Sequence, residues 1–252
     1  MDLYIRFCKG WFFSFISIAS VFVAVIAEIP DAKADWHGEL VFVSDYIYRG
    51  YSKNRGNPLA QARLDYQDSD GWFTGLSVSQ VSFDDRLHGD YADVEIKPYL
   101  GWSLPINADW RTELMAAGYI FDGKIFGKHA DYAELYASLH YQDWLTGTVS
   151  VAPDDYQRDA NVMNYELKYR RDILDNLQFS LGLGYFQAGA LLEEDYFYWN
   201  AGASWFLTPN LALDMRYVDV NLDRHEEADY HHHEFYPRLQ ENKFLFSVTL
   251  GF

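Results

Sequence analysis

The chain has a single cysteine, Cys8, and it lies in a segment expected to be removed on export. The working domain therefore has no disulfide to draw on, and an exported domain of that kind must be held by hydrogen bonding and burial alone. Cations are scarce as well, with 20 Lys+Arg against 37 Asp+Glu and a formal charge of -17. That balance argues against nucleic acid as a partner, because a phosphate backbone is bound through clustered cations. Long apolar runs are also missing beyond the first segment. After Ala34 no window of about 19 residues is apolar enough for a membrane helix, and no 3.6-residue period is sustained.

The first segment is the exception. Arg6 and Lys9 precede the apolar run Trp11 to Ala27, and Ala32-Lys33-Ala34 follows as an A-x-A cleavage pattern. Residues 1–34 are expected to form a signal peptide cut after Ala34, the alternative being an uncleaved membrane anchor. Its loss removes Asp2, Glu28 and Asp31 together with Arg6, Lys9 and Lys33, so the acidity belongs to the remaining chain, residues 35–252.

What is abundant is aromatic side chain, 18% of the 252 residues, set in a period of two. From Tyr91 to Trp102 one face carries Ala92, Val94, Ile96, Pro98, Leu100 and Trp102; the other carries Asp93, Glu95, Lys97 and Tyr99. One face suits hydrocarbon and the other water. The split recurs in segments near 38–51, 58–67, 71–83, 91–102, 108–121, 131–142, 144–153, 161–171, 176–187, 195–206, 209–220 and 242–252. The fold class expected is all-β, a transmembrane antiparallel up-and-down barrel of about 12 strands. The connections support it, since short turns (68–70, 104–108, Asp143, 171–176, 207–209) alternate with longer ones (52–57, 84–90, 122–130, 154–160, 188–194, 221–241).

Two aromatic girdles at the lipid-water interfaces are expected: Trp72, Trp110, Trp144 and Trp205 beside the short turns, and Tyr46, Tyr48, Tyr132 and Phe197 towards the outer ends. Pro98 sits awkwardly in a closed sheet and predicts a bulge or a shortened strand.

If the apolar faces meet lipid, the polar faces line the interior. Lumen-lining candidates are Asp45, Arg49, Arg63, Asp93, Glu95, Lys97, Arg111, Glu113, Glu134, Glu166, Lys168, Asp214 and Arg216, joined by Glu39, Asp65, Arg170 and Lys243. Asp45 is expected to pair with Arg63, and Arg49 with an acid of the second or last strand. Acid and base nearly balance there. The lumen is read as a narrow charged passage, the alternative being a lumen stitched shut by ion pairs. The excess acid falls in the outer connections, at Asp84, Asp85, Asp154, Asp155, Glu193, Glu194, Glu226 and Glu227, and predicts an acidic mouth favouring cations or neutral solutes.

The connection 221–241 also holds His225, His231, His232 and His233. No fixed ligand spacing is evident, so it is read as a pH-sensitive loop, with no metal site and no cofactor assigned. Ser138 and His140 share a strand face, but at about 6.6 Å along it they are too far apart for direct proton transfer, and no catalytic residue is assigned.

The stretch Val43-Ser44-Asp45-Tyr46, with Arg49, Gly50 and Ser52, opens a resemblance that continues through Asn57, Pro58, Gln61, Asp65, Tyr66 and Gly71-Trp72-Phe73-Thr74-Gly75. Weaker echoes are Glu134-Leu135-Tyr136 and Ala152-Pro153-Asp154-Asp155-Tyr156. On these residues the chain resembles the Gcw_chp family, also described as TorF-like porins. The resemblance implies an exported barrel of the bacterial outer membrane and a pore, with no reaction or substrate attached. The expected function is a passive porin for small solutes, not an enzyme. A non-conducting structural or adhesive barrel is the alternative, and a barrel lipid hydrolase a more distant one. Expected partners are outer-membrane lipid and lipopolysaccharide, the barrel assembly machinery during biogenesis, and small solutes; the oligomeric state stays open.

Overall fold

The computed structural model describes residues 35–83, 91–221, 235 and 237–252. The expected signal peptide, residues Asp84, Asp85, Glu226 and Glu227, and the four histidines of the last connection lie outside the described residues. In chain order the strands are β1 (Asp35–Val43), β2 (Ile47–Tyr48), β3 (Tyr51–Ser52), β4 (Leu59–Gln67), β5 (Trp72–Gln80), β6 (Val94–Pro105), β7 (Trp110–Phe121), β8 (Tyr132–Tyr141), β9 (Leu145–Ala152), β10 (Val162–Leu174), β11 (Leu177–Gln187), β12 (Tyr196–Thr208), β13 (Leu211–Asn221), β14 (Arg238–Leu239) and β15 (Lys243–Gly251).

Among the described residues, twelve of these strands close into an antiparallel barrel in the order β1-β15-β13-β12-β11-β10-β9-β8-β7-β6-β5-β4. The last strand meets the first, Glu39 opposite Gly251 and Val43 opposite Ser247. Closure leaves no strand edge unpaired, which is what a sheet needs when no water is at hand to satisfy its amides. The three short strands β14, β3 and β2 form a separate sheet.

The sequence alternation maps onto the barrel wall. Phe42, Leu76, Leu100, Leu114, Leu135, Leu167, Leu183, Met215 and Phe246 come from different strands and are all exposed on the outside. A belt of that extent is not tolerated in water, whereas a hydrocarbon layer accepts it. Below the belt, at the short-turn end, aromatic rings meet in pairs: Trp36 with Tyr66, Trp72 stacked on Trp102 at 5.2 Å, and Trp110 with Tyr141 at 4.8 Å. At the long-loop end the outer girdle is built by Tyr165, Tyr185, Phe197, Trp199, Tyr217 and Phe244.

Three expectations need correction here. Tyr132 shares the parity of Glu134, so it faces inward and stacks on Tyr119 at 4.4 Å instead of joining the outer girdle. Tyr46 and Tyr48 are not on a barrel strand at all, because β1 stops at Val43 and not near residue 51. Pro98 causes neither a bulge nor a shortened strand. It pairs with Leu76 on one side, and on the other the register is the same before and after it, Ile96 opposite Ile120 and Tyr99 opposite Ala117. The ring faces Gly118, where even a Cβ would stand 3.6 Å away, an ordinary contact.

Candidate functional site

The segment 44–58 turns back into the barrel at the long-loop end. The reason is local: Arg49 and Gly50 both take positive φ, 48° and 86°, as a two-residue type I′ turn requires. Ile47 then pairs with Ser52 and Tyr48 with Tyr51, making a short hairpin. Arg238 and Leu239 add a third strand to it, opposite Ser52 and Tyr51. Glycine is needed at position 50 for more than its φ, because a Cβ there would stand 2.9 Å from a Val220 methyl. The Tyr196 hydroxyl donates to the Arg49 carbonyl at 2.8 Å and holds the hairpin tip.

The hairpin is buried as deeply as a protein core. Tyr51 and Lys53 are 0% exposed and Asp45 is 1% exposed. Its charges are met by the wall and by its own turn. Lys53 Nζ lies 2.6 Å from the Glu95 carboxylate, which also accepts from the Tyr46 hydroxyl at 2.9 Å. Arg49 pairs with Glu134 and donates to the Ser150 hydroxyl at 2.9 Å. Glu134 further accepts from the Tyr48 and Tyr136 hydroxyls at 3.0 and 2.6 Å. Asp45 accepts from Ser52 and from Lys243 Nζ, both at 2.6 Å. The partners expected from sequence are therefore corrected. Arg63 belongs to Glu39 and Asp65, not to Asp45, and the partner of Arg49 lies on β8, not on the second or last strand.

Above the hairpin, aromatic side chains close over it. Tyr156 stacks on Phe235 at 4.4 Å, Phe126 packs edge-on to Phe235 and Phe83 tilts against it, and the Tyr51 and Tyr156 hydroxyls are 2.9 Å apart. Asp155, expected at an acidic mouth, is instead 0% exposed within this cluster. Neither of its carboxylate oxygens has a hydrogen-bond partner among the described residues. Burial pushes its carboxyl up to about 7, against the pull of Arg49. Of the other described mouth candidates, Asp154 and Glu193 are exposed and Glu194 is half-buried.

An unfolded aspartate ionises near 3.8, whereas this one keeps its proton to about 7. Folding therefore takes up a proton between those values, and stability falls as pH rises through that window. Asp155→Asn should remove the dependence, leaving the melting midpoint unchanged near pH 4 and raising stability by at least about 1 kcal/mol near pH 8. A variant that melts like the wild-type chain at both pH values would contradict this.

Below the hairpin the lumen is open and polar. A cavity of about 780 Å³ occupies the short-turn half, lined by Glu39, Arg63, Asp65, Lys97, Arg111 and Glu113 among others. Much of the charge is paired along single strands: Arg63 with Asp65 at 2.9 Å and Arg111 with Glu113 at 3.3 Å. The facing wall repeats the device with Lys168 and Glu166 at 2.8 Å and Arg216 and Asp214 at 3.2 Å. Spacing of two along a strand puts both charges on the lumen face. Asp93 stands just before β6, exposed at the long-loop rim, where its amide donates to Asp122. Ser138 and His140 go to different partners, Thr148 and Thr146, so no serine-histidine relay is formed.

Sequence reasoning missed Lys53, Tyr119 and Ser150 and the inward course of Tyr46 and Tyr48. The available signal is Tyr48-Arg49-Gly50-Tyr51, a two-residue turn between β-forming residues inside the segment 38–51.

Solved structures with a similar fold include the KdgM porin, at 9% identity and a TM-score of 0.51 over 86% of this chain and 99% of that one. The NanC porin is similar at 9% identity and 0.51 over 86% and 99%. A second KdgM structure, in complex with disordered oligogalacturonate, matches at 8% identity and 0.51 over 87% and 99%. At these identities the likeness is one of fold. No curated protein matches the chain. The model of one family matches residues 28–252, and the chain belongs to that family, the bacterial proteins of unknown function called Gcw_chp.

Proposed function

We propose that the protein is a passive channel of the bacterial outer membrane for small solutes, reached by export and assembly as an outer-membrane barrel. The observation that carries this is the closed barrel with a lipid-compatible exterior and a charged cavity of about 780 Å³ within it. A wall built only to hold a sheet together would fill its interior with side chains, as the small barrels do. Short turns would face the periplasm and long connections the exterior. Lipid and lipopolysaccharide would surround the belt. The acids of the outer connections would favour cations or neutral molecules at the mouth.

The hairpin in the upper lumen favours a second reading, a structural barrel that does not conduct. Refolded full-length protein in liposomes separates the two. A channel should admit small cations and neutral sugars faster than protein-free liposomes do, and should show conductance steps in planar bilayers with a cation-shifted reversal potential. Heat-modifiable folding without steps or flux would support the structural barrel instead.

A further inference from the structure

We propose that the upper wall of the barrel carries a binding site for organic cations, alkylammonium and guanidinium groups, and that Lys53 and Arg49 occupy it in this structure in place of a solute. The inference rests on the channel reading and gives it a solute class. Lys53 reaches the wall with a bare ammonium, and the wall receives it as a ligand pocket would. Glu95 sits 2.6 Å away and is itself 1% exposed. From the wall, the rings of Tyr119 and Phe121 stand 4.9 and 5.8 Å from the ammonium, and the hairpin's own Tyr48 adds a third at 4.1 Å. A carboxylate with aromatic faces around one buried cation is the arrangement that recognises alkylammonium. Tyr119 takes a second ammonium as well, that of Lys97 at 4.8 Å, so this ring works as a cation surface on both levels.

Glu134 does the same for guanidinium. Arg49 pairs with it and donates to Ser150, while its guanidinium carbon lies 5.0 Å from the Phe186 ring centroid. Glu95, Tyr119, Phe121, Glu134, Ser150 and Phe186 all belong to the barrel strands β6, β7, β8, β9 and β11. They belong to the closed wall and not to the hairpin. Lys97 also lines the cavity below, so a solute entering from the short-turn end arrives beside the same rings. Without the hairpin's cations the two carboxylates would face the lumen beside these rings, where a cationic solute could pair with them.

Chemical complementation tests this. Lys53→Ala removes three carbons and the ammonium, the part that n-propylammonium replaces, and Arg49→Ala removes what ethylguanidinium replaces. Each variant should melt below the wild-type chain in detergent. Its own cation should raise the midpoint by several degrees, with smaller effects from the other cation and none from sodium propionate. Lys53→Ala/Glu95→Gln should lose the propylammonium effect. Restoration that is equal with and without Glu95, or absent altogether, would overturn the site.

Should Lys53→Ala fail to fold, a chain with residues 46–55 replaced by a Gly-Ser link gives a second measurement. Propylammonium should block its potassium current at least about tenfold more strongly than in the same chain with Glu95→Gln. Equal block in the two would overturn the site. A barrel that conducts but neither binds nor is blocked overturns the site and leaves the channel standing. Cation-specific restoration in a barrel that never conducts supports the site and overturns the channel.

Discussion

Replacing residues 46–55 by a short Gly-Ser link is expected to raise conductance in planar bilayers at least about tenfold over the wild-type chain. The link can close because the ends to be joined are neighbours, the Gly56 amide donating to the Asp45 carboxylate at 3.2 Å. With the hairpin gone, the rings of Phe83, Phe126, Tyr156 and Phe235 lose the Tyr51 they close over, the lumen beside Glu95 and Glu134 is left to wall side chains such as Tyr119, and a barrel of about 12 strands is wide enough for a narrow passage. The bared carboxylates should pull the reversal potential towards that of the cation. Glu95→Gln with Glu134→Gln in the same background should remove the pull while leaving most of the conductance. Single-channel recording in a salt gradient reads both effects. A conductance equal to that of the wild-type chain would show that the hairpin is not what obstructs the barrel.

Glu134→Ala is expected to cost about 3–5 kcal/mol, among the largest effects of any single substitution in the barrel. The Arg49–Glu134 side chains are 4% and 0% exposed, so the variant leaves a guanidinium buried beside rings with its main partner gone. Ser150 and the rings of Tyr48 and Phe186 cannot neutralise it. Arg63→Ala is the contrast. Its pair with Glu39 spans 3.4 Å with side chains 51% and 35% exposed, and water screens it, so the loss should stay below about 1 kcal/mol. Urea unfolding followed by heat-modifiable mobility compares the two. Adding Arg49→Met to a Glu134→Gln background should recover most of the stability, since it removes both charges together. A Glu134→Ala variant as stable as Arg63→Ala would mean that the hairpin is not seated on the wall.

The barrel was legible because it is a repeated local statement. Each strand repeats the period of two, and each side chain has only two choices of face, so Glu95, Lys97, Glu113, Glu134, Glu166 and Arg216 could be placed inward from spacing alone. Exposed aliphatics on the other face then left lipid as their surroundings. The short and long connections alternate for the same reason, since the strands must reverse at each end.

Pairing was not legible in that way. Arg49 and Glu134 are 85 residues apart, and Asp45 and Lys243 are 198 apart, distances over which a sequence carries no register. The error at 38–51 shows how alternation can mislead. Asp45-Tyr46-Ile47-Tyr48 alternates as a strand does and is β-forming, but the turn at Arg49-Gly50 makes it one arm of a hairpin and not the end of a wall strand. Asp155 was misplaced for a related reason, because a charged loop residue looks solvated until the rings packed over it are known.

The amino-acid sequence by itself determined the architecture and which face of each wall strand is polar, since a two-residue period needs no partner to be read. Only the tertiary structure decided that 44–58 enters the lumen and that Lys53 and Arg49 sit against Glu95 and Glu134. Burying those charges is tolerable solely because distant strands bring the carboxylates and rings that meet them.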